Sequence, residues 1–254
     1  MNYASIFTGF TPRNFAIFDS ENRTYRTGDP IGEEAKERLA EWKQFASIVI
    51  SATSKQFNIF TTQWQNSGNL SPYYWSALRD KGYENYSTCL GLMITNQKIL
   101  VNLGYHDRMD KLGKALDNKR QFNSWIQQCT PESIPQEHWD KLAVWVPDEE
   151  PVPFRKFLTD QKTKDGLLKR ITKNKDLYLD MGRVFSQEEA ILLGKDIVKE
   201  VVETINILYP IYWGILQRAQ DPMVLIGSSA DFSDTSDRYQ DVISSQGAVI
   251  RLKR

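Results

Sequence analysis

Between Ser186 and Leu208 the chain carries Ala190, Ile191, Leu193, Ile197, Val198, Val201, Ile205 and Leu208, a spacing that gives one helix a broad apolar face. A face that wide is stable only against another layer of structure, so this helix is expected to be the central packing element. Ser186 and Glu189 predict its start as a capping box, in which the serine oxygen takes a free amide proton and the glutamate reaches back to the serine N–H. Pro210 is expected to bend or end it. A second ridge begins at Asp29-Pro30, a cap followed by a first-turn proline. Its apolar stripe is Ala35, Leu39, Trp42, Phe45 and Val49, while Glu33, Lys36, Glu37 and Lys43 lie off it. Thr11-Pro12 repeats the signal for a short turn from Arg13.

The layer that receives these ridges is expected between Gln56 and Tyr105, where β-branched and aromatic residues alternate with turn clusters. The candidate strands are Phe57 to Trp64, Tyr74 to Leu78, Ser87 to Thr95 and Lys98 to Tyr105, the last two joined as a hairpin at Asn96-Gln97. Asn66 to Asn69 reads as a loop. Asp107 to Gln128 reads as a helix ended by Pro131 and Pro135, with Leu112, Ala115, Leu116, Phe122, Trp125 and Ile126 as its apolar positions. Lys141 to Val146 and Asp176 to Phe185 read as strands, Ala248 to Leu252 as a short final one, and the Ser- and Asp-rich stretch 227–237 as a mobile loop.

Pro147 to Pro153 is the strongest linker-like stretch, but the chain beyond it offers too few elements to enclose a core of its own. The expectation is therefore one α+β domain over 1–254: a mixed, largely antiparallel sheet covered by helices, with a C-terminal tail.

Thirty-two basic residues balance thirty-two acidic ones, which removes any global field toward nucleic acid or an anionic membrane. No apolar run approaches the roughly 20 residues that span a bilayer, and the first residues lack the basic start and hydrophobic stretch of a signal peptide. A cytoplasmic protein with no membrane association is expected. Two cysteines, Cys89 and Cys129, and two histidines, His106 and His138, give neither a disulfide framework nor the close pairs of a zinc site. No phosphate-cradling glycine loop and no dinucleotide fingerprint occurs, so no metal and no cofactor is expected.

Several stretches resemble the YktB-like family of uncharacterised bacterial proteins. They are Phe7 to Phe15 with Phe18, Trp75-Ser76, the run Gly82 to Leu92, Asp176 to Phe185 with Gly182-Arg183, and Val201 to Pro210. The resemblance spans about residues 5 to 213 in order. It implies a largely antiparallel sheet covered by helices, and it carries no catalytic residues, because that family has no established activity.

The candidate site is read from side-chain chemistry. Aromatics crowd the middle segment, where a flat ring such as Tyr74, Trp75 or Tyr105 offers large contact area at low entropic cost; the same rings serve equally well as cross-strand packing. Tyr105-His106-Asp107 closes a strand, and an imidazole with a neighbouring carboxylate is a general-base arrangement, although no nucleophile motif accompanies it. From Arg155 to Lys175 eight basic residues face two acids, a local excess that can contact phosphates or simply be a solvated surface. The residues singled out are Tyr74, Trp75, Arg79, Tyr105, His106, Arg155, Lys156 and Arg183. The reading is a ligand-binding or interaction domain with an aromatic and basic concavity. The alternatives are an enzyme acting on a nucleotide or nucleic acid, using His106 and neighbouring acids, and a structural or regulatory partner-binding protein; a nucleotide or nucleic-acid partner would be met through Arg155 to Lys175.

Overall fold

The computed structural model describes residues 7–19, 30–66, 69–107, 113, 115–220, 239–243 and 249–253. Up to Ala219 the chain forms one compact unit and from Gln220 a second. In the first, α1 (Pro12–Ala16) and α2 (Pro30–Ala52) precede β1 (Phe57–Thr61) and a small ribbon of β2 (Gln65–Asn66) and β3 (Asn69–Leu70). Then come β4 (Tyr74–Asp80), β5 (Thr88–Ile94), β6 (Lys98–Tyr105), α3 (Lys119–Asn123), β7 (Ala143–Trp145) and β8 (Val152–Pro153). The unit closes with α4 (Phe154–Thr159), α5 (Gln161–Lys173), β9 (Asp180–Ser186), α6 (Gln187–Leu193) and α7 (Ile197–Ala219).

Seven strands form one open sheet in the order β1-β4-β5-β6-β9-β7-β8, and every pairing in it is antiparallel. This is an α+β fold whose sheet is more regular than the mixed arrangement expected. The period of two sorts the side chains. Leu90, Leu92 and Ile94 of β5, Ile99, Val101 and Leu103 of β6, and Met181 and Phe185 of β9 enter one hydrophobic core. Across from them lie Ala35, Leu39, Trp42, Phe45 and Val49 of α2 with Ile197, Val201, Ile205 and Leu208 of α7. The two ridges dock on the same side of one sheet. Two polar groups between α2 and the sheet are paired: the Trp42 indole N–H donates to Ser76 Oγ at 3.0 Å, and Tyr74 O–H to the Ala35 carbonyl at 2.6 Å.

Four expectations are corrected. The helix expected over Asp107 to Gln128 is interrupted: Asp107 is helical, residues 115–118 are not, and a helix starts again at Lys119, capped by Asn118, and runs on as a 3-10 turn, Ser124–Gln128. Asp117 is the cause, because its carboxylate turns away to accept from Ser87 N at 2.6 Å and Thr88 N at 2.8 Å; Leu116, expected in the core, is 61% exposed. Positions 108–112 lie outside the described residues.

Second, the ridge after Ser186 is broken at Gly194, whose φ is 53°. Third, of the two outcomes expected at Pro210, to bend or to end the helix, the ending does not occur: Pro210 sits inside α7. Its missing N–H leaves the carbonyl of Asn206 without a helical partner, but both residues are exposed to solvent, while Tyr212 and Leu216 stay buried. Fourth, only half of the capping box forms: Ser186 Oγ accepts from Glu189 N, while the Glu189 carboxylate goes to Arg183 at 3.0 Å.

Pro147 to Pro151 is a loop between two neighbouring strands of one sheet, not a linker between bodies. In the second unit β10 (Tyr239–Ile243) and β11 (Val249–Lys253) pair antiparallel, so the expected final strand is present. The expected loop 227–237 lies outside the described residues. Among those described, no helix is long and apolar enough to cross a membrane.

Candidate functional site

With α2 and α7 on one face, the other face of the sheet carries a concavity lined by described residues. The register sets its floor: Ala77 pairs with Gly91, Gly91 with Asn102, Asn102 with Gly182, and Gly182 with Ala143. Because paired residues share a face, a row of small side chains crosses five strands with Asn102 alone rising from it. Gly91 and Asn102 of this row, with Gly104 beside them, line a cavity of about 770 Å³.

Two glycines are required by this floor. A Cβ on Gly91 would lie 2.3 Å from Asn102 Oδ1 and 3.0 Å from Trp75 Nε1, and one on Gly104 would lie 2.6 Å from Asn102 Nδ2 and 3.2 Å from Asp180 Oδ1. The Asn102 amide therefore lies flat between two positions where only hydrogen fits, with Trp75 to one side and Asp180 to the other.

At the β4 end the wall is aromatic. The Trp75 and His106 rings meet edge-on with centroids 4.6 Å apart, and Phe60 lies 5.7 Å from His106. Behind them Arg79, 5% exposed, donates through Nε to the Tyr86 carbonyl at 2.6 Å and through Nη2 to His106 Nδ1 at 3.1 Å. Arginine has no acceptor atom, so this bond makes Nδ1 the acceptor and places the ring proton on Nε2.

At the β9 end stands Asp180, paired in register with Trp145. Asp180 is 7% exposed, and its Oδ1 has no hydrogen-bond partner among the described residues. Burial pushes its pKa well above the ordinary carboxylate range, and the Asn102 side chain is the one group that pulls it back. Cys89 on the floor is fully buried, and its thiol is pushed up to about 11 by the same desolvation, with Arg79 pulling it down and Asp180 and Asp117 pushing it up. That thiol stays protonated near neutral pH. The rim holds Asp107, Asp148, Glu149 and Glu150 against Lys98. Lys119 is 2.5 Å from Asp107, and Arg170 pairs with Glu149.

Of the residues singled out from sequence, Trp75, Tyr105 and His106 line this cavity, and Arg79 stands behind His106. Tyr74 points to the helical side, where its hydroxyl is bonded to α2. Arg183 shares that side, bound to Glu189 and Glu200 and stacked over Phe185. Arg155 is held by both oxygens of Asp140 at 2.6 and 2.7 Å, and Lys156 is exposed on α4. His106 and Arg183 thus stand on opposite faces, and the walls of the concavity are aromatic and acidic. Asn102, Trp145 and Asp180 were missed because single side chains in strands carry no motif; only the register unites them.

A second cavity of about 630 Å³ lies where the end of α2 meets the start of α7, lined by Phe7, Ile48, Val198 and Val202 with Lys195 and Lys199 among its polar residues. Among the described residues, no buried polar side chain lines it.

Comparison with known proteins adds one match. The model of an uncharacterised bacterial protein family covers residues 8–215. No curated protein matches the chain.

Proposed function

We propose that this chain, which belongs to the uncharacterised bacterial family matched over residues 8–215, is a binding protein that holds a small ligand in the concavity of its sheet. The observation that carries the reading is the coincidence of a deep trough with a floor of hydrogen and amide. A concave site with aromatic walls and a few convergent polar groups is the ordinary form of a ligand pocket, and here Trp75 and His106 flank Asn102 and Asp180. Flat rings at one end supply contact area, while Asn102 and Asp180 supply orientation.

Two alternatives have less support. For catalysis, His106 Nδ1 is engaged by Arg79 and the Cys89 thiol is buried and held protonated. For nucleic acid, two of the eight cations between Arg155 and Lys175 are committed to Asp140 and Glu149. Salt-sensitive binding of mixed oligonucleotides would favour that second reading instead. We infer in addition that the matched family is the YktB-like one, on the segments quoted from the sequence. The cytoplasmic reading is supported by Cys89 and Cys129, both unpaired and buried.

The test is ligand screening by ¹H–¹⁵N NMR with a library of small aromatic amines, alcohols and acids. Shifts confined to the Trp75 and Asn102 signals and lost in Trp75→Ala, with the melting temperature of that variant nearly unchanged, support the trough as the site. A loss of about 3 to 5 kcal/mol in Trp75→Ala would instead mark Trp75 as packing.

A further inference from the structure

The charges around the trough are unbalanced in one direction. Asp107 and Glu149 are taken up by Lys119 and Arg170, which leaves Asp148, Glu150 and Asp180 against Lys98 among the lining side chains. Asp148 and Glu150 are exposed on the loop after β7 and act on the approach to the site. Asp180 differs from them: it is buried at the bottom, and its Oδ1 lacks a partner among the described residues.

A buried carboxyl oxygen without a partner costs free energy unless something brought to it donates a hydrogen bond. Within the protein Asn102 hydrogen-bonds the carboxyl, and Oδ1 is left without a partner among the described residues. Cys89 faces it from β5, Asn102 from β6 and Trp145 from β7, with Tyr178 just ahead on its own segment. The charged groups that act on these neighbours are Asp107, Asp117 and Asp148, all acidic, and Arg79, which stands beyond Cys89. No lysine or arginine forms an ion pair with Asp180 among the described residues. Trp145, directly paired with Asp180 across β9 and β7, offers an indole beside it, and an indole face is the best aromatic partner for a cation.

We propose that the ligand of the trough is an organic amine, whose ammonium group sits on Asp180 beside Trp145 and whose apolar body runs along the floor toward Trp75. This deepens the preceding reading and rests on it. The four strand spacings from β7 to β4 give roughly 19 Å, room for a body of several carbon atoms or a ring. Asp180 is protonated more readily than an ordinary carboxyl when the site is empty, so seating an ammonium ion there expels a proton from Asp180 and replaces it with the ligand's charge. Amine binding therefore strengthens as pH rises, the opposite of what a neutral acceptor taking a hydrogen bond from the protonated acid would show.

The probes are phenethylamine, 2-phenylethanol and phenylacetate, alike in body and different in head group, titrated into the full chain by NMR and calorimetry. The expected result is that phenethylamine binds at least roughly tenfold more tightly than either analogue, about 1.4 kcal/mol. Its affinity rises as pH is raised above the ordinary carboxylate range, with release of a proton. Asp180→Asn, nearly identical in shape, removes both the preference and the pH dependence. If 2-phenylethanol or phenylacetate moves the Trp75 and Asn102 signals as well as the amine does, the trough is a site but the amine assignment is overturned. If none of the three moves them, both readings fall. Should Asp180→Asn misfold, falling or flat amine affinity with rising pH in the unaltered chain overturns the assignment without it.

Discussion

Arg79 donates to His106 Nδ1 at 3.1 Å from a position only 5% exposed, so a guanidinium on β4 sets which nitrogen of a trough-lining imidazole carries its proton. The arginine is itself anchored, through Nε, to the Tyr86 carbonyl. Nitrogen-15 NMR of the histidine ring is expected to show His106 as the Nε2–H tautomer. In Arg79→Met that preference disappears, with a loss of about 1.5 to 3 kcal/mol for each charged hydrogen bond removed. A proton found on Nδ1 in the unaltered chain contradicts the arrangement.

Asp180 makes the stability of the protein depend on pH. Its folded-state pKa is raised by burial, so the proton it holds stabilises the fold fully below the unfolded value of about 4 and progressively less as pH rises through the folded value. Asp180→Asn removes this dependence. Urea unfolding from acid to mildly alkaline pH is expected to show the variant gaining on the unaltered chain as pH rises. A constant difference across that range would mean that Asp180 titrates like an exposed acid.

Gly91 and Asn102 form the tightest contact of the floor. Gly91→Ala places a methyl 2.3 Å from Asn102 Oδ1, forcing the amide to move and costing about 1 to 3 kcal/mol. Because the clash is with a side chain, Asn102→Ala in the same molecule is expected to recover part of the loss. A double-mutant cycle by chemical denaturation checks this, and strictly additive effects would place the strain elsewhere.

Asp117→Ala should be among the most destabilising single changes in the chain. It removes the acceptor for Ser87 N, Thr88 N and the Thr88 hydroxyl at the start of β5, and each buried donor left unsatisfied costs about 1 to 3 kcal/mol. The expected loss is about 3 kcal/mol or more in urea unfolding, with early loss of amide-exchange protection at Ser87 and Thr88. A variant within about 0.5 kcal/mol of the unaltered chain would show that water replaces the carboxylate.

Periodicity alone was enough to place most elements, for a local reason. Apolar residues at helical spacing specify a buried stripe wherever the helix docks, so α2 was legible from Ala35 to Val49; alternation with a two-residue turn specified the β5–β6 hairpin, and β6 falls where it was expected, Lys98–Tyr105. Local pattern misled where a distant partner outcompeted it. Asp117 leaves a helical pattern to serve strand β5, Glu189 prefers the Arg183 guanidinium to its own helix start, and Pro210 is tolerated because the carbonyl it orphans belongs to an exposed residue.

What the amino-acid sequence determined by itself is therefore the inventory: two amphipathic ridges, a β-rich middle and an α+β layer structure, since each depends on neighbours a few residues apart. The site was decided by tertiary structure alone. Trp75, Asn102, Trp145 and Asp180 come from four strands, and strand order and register bring them to one face, while Arg183, one residue beyond Gly182 on the same strand as Asp180, is turned to the other. In a strand a shift of one residue reverses the side on which a group appears. Only the assembled sheet could therefore separate the arginine that braces the helices from the carboxyl that opens onto the trough.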